Sequence, residues 1–233
     1  MYVGWDDQDF IIVFRHTNDS ESMRMEPVKM SPILLSPGNR LVVVFGGGAV
    51  ALRKCRHFDG FRIRVVSPEV LPELEEIADE VVRVAVDPDT VGDYVGDADI
   101  VVAATSSHGL NDSIRDAAMS MSIMTNSAHG GGDVLIPSTL HRDGYTVTVS
   151  SEGRVPAFPP YVISKIDGFL DPSYDAMLAL LVDLRAVIRD RIPTQPARAE
   201  FLAGVLADVR VWDRLSQGDR DGAYAIAMEG MPE

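Results

Sequence analysis

Six residues, Gly46-Gly47-Gly48-Ala49-Val50-Ala51, follow directly on the apolar run "LVVVF" and fit the spacing G-x-G-x-x-[G/A]. That spacing has a chemical use. The first glycine permits a sharp turn out of a strand, the second lets main chain approach a pyrophosphate, and a small third residue lets the next helix pack on the strand. A helix beginning there adds unpaired N–H groups and a partial positive charge, both suited to phosphate. Gly46, Gly47, Gly48, Ala49 and Val50 are therefore the expected dinucleotide contacts.

An acidic residue about 20 positions further on usually holds the adenosine ribose. Val66-Ser67-Pro68 occupies that place, with Glu69 the first carboxylate, so Ser67 and Pro68 are the expected ribose contacts. Arg64 falls inside the second strand and no arginine pair is placed for a 2′-phosphate, which favours NAD over NADP. Further on, "ADIVVAATSSHGLN" sets Thr105, Ser106 and Ser107 at a strand end, where ligands of open α/β sheets bind. Ser107 is equally suited to cap the helix that follows, and Asn111 to a structural amide role.

These residues need a frame, and the hydrophobic pattern supplies one. The apolar runs "LVVVF", "FRIRVV", "EVVRVAV", "ADIVVAAT" and "MSIMTN" alternate with helical stretches "AVALRKCRHF", 68–78 and "GLNDSIRDAAMS". Such alternation predicts an α/β fold, a Rossmann-type doubly wound parallel sheet spanning 31–133. Residues 134–163 read as a β-hairpin module turning at Arg142-Asp143-Gly144, with the Pro-rich "VPAFPPY" breaking the chain after it. Residues 164–233 read as a helical domain of three helices, with apolar residues recurring at three and four, as in Met177, Leu180, Leu181, Leu184 and Ile188. Residues 1–30 are polar and aperiodic, a poorly ordered extension in which only "DFIIVF" has strand character.

Composition excludes several classes. A net charge of −14 leaves no basic face for nucleic acid. No apolar run is long enough to span a bilayer, and "MYVGWDD" does not open like a secretory signal, so the expected compartment is the cytoplasm. The single cysteine, Cys55, precludes an intramolecular disulfide and reads as a small buried hydrophobe. His, Asp and Glu show no ligand-like clustering, so no metal site is expected.

Taken in order, "SPILLSPGNRLVVVFGGGAVALRK", "ADIVVAATSSHGLN", "MTNSAHGGGDVLIPSTLHRDGYTVTVSSEGRVPAF" and "SKID" resemble the precorrin-2 dehydrogenases of siroheme synthesis, some of which are also sirohydrochlorin ferrochelatases. The resemblance runs from about Ser31 to Lys165. It implies a homodimer in which NAD⁺ takes a hydride, and a proton is lost, as precorrin-2 becomes sirohydrochlorin. The family places an Asn at the end of the fifth strand and an acidic catalytic residue three positions later. Asn126 matches the first, but His129 stands at the second, and the next acid is Asp133, after three glycines. The loop "SSEGRVP", with Ser150 and Ser151, matches a family segment and is assigned to substrate.

An imidazole is a suitable base around neutral pH, which makes His129 a candidate general base, with Asn126 and Asp133 beside it. The flanking glycines would let its loop close on a flat ligand. His108 is a further substrate-side candidate. A substrate with eight carboxylates needs local cations in so acidic a protein, and Arg154 is the first candidate, Arg142 the next. Arg53 and Lys54 serve either the helix or the phosphates. Two other readings stay open: ferrochelatase activity, alone or in addition, and a non-enzymatic NAD(H)-binding sensor.

Overall fold

Every residue of β1 (Leu41–Phe45) is buried, and Val42, Val43 and Val44 are fully so. In the computed structural model, which describes residues 30–231, β1 is the middle strand of a five-stranded parallel sheet. Leu41, Val43 and Phe45 face one core with Val101, Ala103 and Ile114; Val42 and Val44 face the other with Ala51, Val65 and Val102. A strand covered on both sides must be apolar at every position, which is why "LVVVF" shows no alternation.

From β1 the chain continues through α1 (Ala49–Cys55), β2 (Arg62–Val66), α2 (Pro72–Glu75), β3 (Glu80–Val82), α3 (Gly92–Val95), β4 (Ile100–Ala103), α4 (His108–Ser120) and β5 (Met124–Ser127). The strand order is β3-β2-β1-β4-β5, with every pairing parallel. Chain order reverses between β1 and β4, so the crevice at their carboxyl ends is the switch point of the sheet.

Two elements are shorter than the pattern predicts. The third strand stops at Val82, because β2 ends at Val66 and the last bond across the pair is Ser67 N–H to Val82 O, 3.1 Å. The second helix starts at Pro72 rather than Pro68, because Leu71 N–H is committed to Gly47 O at 2.9 Å.

The hairpin of β6 (Ser138–His141) and β7 (Thr146–Val149) forms as expected, closed by Arg142 N–H to Tyr145 O at 3.0 Å, with Gly144 in the left-handed region (φ +95°). The Pro-rich segment does not break the chain. It starts α5 (Phe158–Phe169), with Pro159 and Pro160 in the first turn, where a missing N–H costs nothing. Arg142 ties the hairpin to this helix: its guanidinium donates to Asp167 Oδ1 at 2.7 Å and to Leu170 O at 3.0 Å.

The remaining chain forms α6 (Pro172–Arg191), α7 (Gln195–Ala207), α8 (Val209–Ser216) and α9 (Arg220–Glu229), around a core of their own that includes Met177, Leu180, Leu184, Ile188, Phe201 and Val211. One predicted helix is two here. The break falls at Asp208, whose carboxylate accepts from Arg210 N–H and so caps α8. No helix among the described residues is long and apolar enough to cross a membrane. The possible strand "DFIIVF" lies outside the described residues.

Candidate functional site

A cavity of about 700 Å³ opens at the switch point. Gly46 to Val50 form one wall, Ser67 to Leu71 a second, Val84 to Val86 a third, and Ala104 to Ser107 with Leu110 the fourth. All the predicted cofactor contacts line it: Gly46, Gly47, Gly48, Ala49, Val50, Ser67, Pro68, Thr105 and Ser106.

The three glycines do different work. Gly46 has φ +115°, and a Cβ there would lie 2.4 Å from Ala104 O. At Gly47 a Cβ would lie 1.9 Å from Glu69 O and 2.8 Å from Val70 Cα, so this glycine is required by the neighbouring main chain rather than by a ligand. A Cβ on Gly48 would meet nothing within 4 Å. Gly48, the second glycine of the motif, is thus the position where main chain lies open to an incoming group. It precedes α1 with no side-chain cap, so the first N–H groups of that helix have no partner within it. Ala51, fully buried, supplies the close packing expected of the third motif position.

These features fit a dinucleotide: an open glycine before an uncapped helix suits the diphosphate, and the far wall suits an adenosine. Among the described residues, Glu69 is the only charged one in the lining. A 2′-phosphate would meet that carboxylate and no cation, so the cavity favours NAD. Ser67 is almost buried and donates its hydroxyl proton to Glu69 O at 2.7 Å, leaving only lone pairs for a ribose.

Beyond the cavity, α4 and the loop after β5 are joined through one amide. Asn111 Oδ1 accepts from Thr105 N–H at 2.9 Å and from Thr105 Oγ1 at 2.8 Å. Asn111 Nδ2 donates to Thr105 O at 3.0 Å and lies 2.8 Å from His129 Nδ1. With the carbonyl end held by two donors, Asn111 presents only N–H to the imidazole. Nδ1 therefore accepts, and the proton of the neutral ring sits on Nε2. The rings of His108 and His129 stack at 3.5 Å between centroids. The serine before this helix caps it, Ser107 Oγ accepting from Leu110 N–H at 3.3 Å.

Asn126 and Asp133 are engaged in holding this loop. Asn126 is buried, donates to Val134 O at 2.8 Å, and accepts from Lys54 Nζ. Asp133 Oδ1 accepts from Thr125 N–H at 2.6 Å. Gly132 does not serve to wrap a ligand: a Cβ there would lie 2.2 Å from Thr125 O, so its bareness lets the loop pack back on β5.

Ser150 and Ser151 line a second cavity of about 690 Å³, between α1, residues 135–139 and the hairpin. Arg154 is in neither lining; it is exposed and pairs with Glu152 at 3.0 Å. Arg142 is likewise spent, on Asp167 and, at 3.8 Å, Asp175. The cations of the second cavity are ones the sequence left between two roles. Lys54, half-buried, is lowered to about 8 by desolvation and then by the charge of Arg53. Cys55, next to it and buried, is pushed up to about 12 by desolvation, as suits a packing residue.

A family model described as NAD(P)-binding matches residues 33–138. A precorrin-2 dehydrogenase of Methanosarcina barkeri is 32% identical over 206 residues, which cover 84% of this chain and 92% of that protein. Siroheme synthases of Pseudomonas paraeruginosa and Nitrosospira multiformis are each 30% identical, over 81% and 80% of this chain; the match spans only 39% of either relative. Among solved structures, the precorrin-2 dehydrogenase SirC superposes with a TM-score of 0.67 at 22% identity, covering 86% of this chain and all of SirC, a likeness of fold. With a cavity built for NAD at the switch point and a relative matched along nearly its whole length, the chain belongs to the precorrin-2 dehydrogenase family.

Proposed function

We propose that the protein is an NAD-dependent oxidoreductase that converts precorrin-2 to sirohydrochlorin. The observation that carries this reading is the 92% coverage of a precorrin-2 dehydrogenase by a chain whose switch-point cavity is lined by one carboxylate and no cation. NAD⁺ supplies the hydride acceptor. The chain's own residues hold the cofactor along Gly46 to Val50, Ser67, Pro68, Thr105 and Ser106, and a proton leaves the macrocycle as the hydride does.

His129 acts in this scheme as a hydrogen-bond donor. A general base needs a lone pair at Nε2, and the Asn111 contact leaves Nε2 carrying the proton. The remaining acceptor on the loop is Asp133, whose second carboxylate oxygen has no partner among the described residues. Asn126 keeps the loop in place, and His108 stacks on His129 to fix the ring plane. The substrate lies against this loop and the Ser150–Ser151 segment.

A homodimer completes the reading. Val155, Phe158, Tyr161 and Phe169 are each more than half exposed along α5 and its approach, an apolar surface beside a two-stranded sheet with free edges. The cytoplasm is the compartment, and the chain divides at 31–133, 134–163 and 164–233 into cofactor-binding, pairing and helical parts.

The test is incubation with enzymatically prepared precorrin-2 and NAD⁺, following absorbance of the more conjugated product and of NADH at equal stoichiometry. NAD⁺ binding by calorimetry without any oxidation would replace this reading with that of a sensor.

A further inference from the structure

Among the described residues the switch-point cavity has no cation in its lining; the second cavity has three titratable groups able to carry positive charge, Arg53, Lys54 and His57. Arg53 and Lys54 lie in the last turn of α1 and His57 just beyond it, and the three repel one another. Partial desolvation, followed by the charges of His141, Lys54 and Arg53, pushes His57 below its ordinary range. In a chain of net charge −14, such a cluster would ordinarily draw a carboxylate. Among the described residues neither Arg53 nor Lys54 forms an ion pair, although nine other arginines do. The one acid in the lining, Asp167, is held by Arg142 at 2.7 Å.

Donors converge on the same space. Lys54 Nζ gives one hydrogen to Asn126 Oδ1, and an ammonium carries two more. Ser150 Oγ accepts from Glu152 N–H at 3.0 Å, which leaves its own O–H to give. The rest of the lining is mixed, apolar at Leu135, Ile136, Pro156 and Ile163 and hydroxylic at Ser138, Thr139 and Ser164. Apolar side chains beside a cationic end with neighbouring hydroxyls match a ligand having a flat hydrocarbon body and carboxylates on its rim.

We propose that the cavity between α1 and the hairpin is an anion-binding site that takes carboxylates of the ligand, with Lys54 and Arg53 as its cations and Ser150 as a neutral donor. As the place where a tetrapyrrole's rim is recognised, it rests on the function proposed above; as a carboxylate site it does not. Charge-assisted bonds of this kind are each worth about a tenfold change in affinity or more.

The experiment uses the full chain and two probes, sirohydrochlorin under anaerobic conditions and citrate. The sequence has three lysines, so acetylation by acetic anhydride at pH 8 can be read residue by residue by peptide mass spectrometry, with Lys165 as internal reference. The expected result is slowed acetylation of Lys54 by either probe with Lys165 unaffected. Sirohydrochlorin should also bind about tenfold more weakly to Lys54→Met and to Arg53→Gln, at unchanged NAD⁺ affinity. Arg53 is exposed, so its variant keeps the test valid if Lys54→Met does not fold. Protection by citrate with no sirohydrochlorin binding would leave the anion site standing and overturn the tetrapyrrole reading. Sirohydrochlorin binding that neither protects Lys54 nor weakens in Arg53→Gln would overturn the site and leave that reading intact. Protection by neither probe, without macrocycle binding, would overturn both.

Discussion

Asn111 Nδ2 and His129 Nδ1 stand 2.8 Å apart, and the other end of that amide is fixed by two donors from Thr105. Thr105, in the lining of the cofactor cavity, thus sets through Asn111 the tautomer of a ring on a different loop. Substituting His129 by Ala should lower kcat about 10²-fold, as for loss of one positioned donor. His129→Gln, which keeps an N–H, should recover much of that loss, whereas a general base would be lost equally in both. Nitrogen-15 NMR of the wild type should show the neutral ring protonated at Nε2, and Asn111→Ala should remove that preference. A ring protonated at Nδ1 would refute the assignment.

Gly47 and Gly48 separate folding from cofactor binding. Gly47→Ala forces a methyl against Glu69 O and should cost about 1–3 kcal/mol or more in urea denaturation. Gly48→Ala has room and backbone angles open to any residue, φ −96° and ψ −172°. It should leave Tm unchanged while weakening NAD⁺ about tenfold in calorimetry. The reverse pattern would mean that Gly47, not the motif's second glycine Gly48, faces the diphosphate.

Arg142 is a staple rather than a substrate ligand. Its bonds to Asp167 and Leu170 join the hairpin to α5, so Arg142→Ala should destabilise the fold by about 1–3 kcal/mol. Hydrogen exchange should quicken over 138–149, and KM for the tetrapyrrole should not move. A raised KM at unchanged stability would place Arg142 in the site instead.

Lys54 and Cys55, adjacent in sequence, give stability opposite dependences on pH. Lys54 falls from 10.5 to about 8 on folding, so between those values the unfolded chain holds more protons and stability rises with pH. Cys55 rises from 9.0 to about 12, so in that range the unfolded chain holds fewer protons and stability falls as pH rises. Urea midpoints should climb from pH 8 to 9, where Lys54 acts alone, then level or turn down. Lys54→Met should flatten the climb, and Cys55→Ala should extend it. Lys54 is partly exposed, so solvent screening reduces its share.

The order of strands in the first half, the hairpin turn and the glycine loop were all legible in the chain, because each follows from local periodicity or from one residue's backbone freedom; the one-turn helix α3, too short to show a period, was not. "LVVVF" can only be a strand covered on both faces, and Arg142-Asp143-Gly144 can only be a turn. Element ends were less legible. Val82 ends β3 because β2 stops at Val66, and Asp208 divides a helix whose apolar spacing runs straight through it. The Pro-rich segment misled because proline opens a helix as readily as it interrupts one.

The amino-acid order alone determined that a parallel α/β sheet would carry a dinucleotide turn, since strand period and glycine spacing act over a few neighbouring residues. Only the tertiary structure decided which side chains are already spoken for. It put Arg154 on Glu152, Arg142 on Asp167 and Asn111 on His129, and among the described residues it gave Arg53 and Lys54 no acid. Charges and hydrogen-bond donors are satisfied by whatever lies nearby in space, and for Lys54 that is Asn126, 72 positions along the chain.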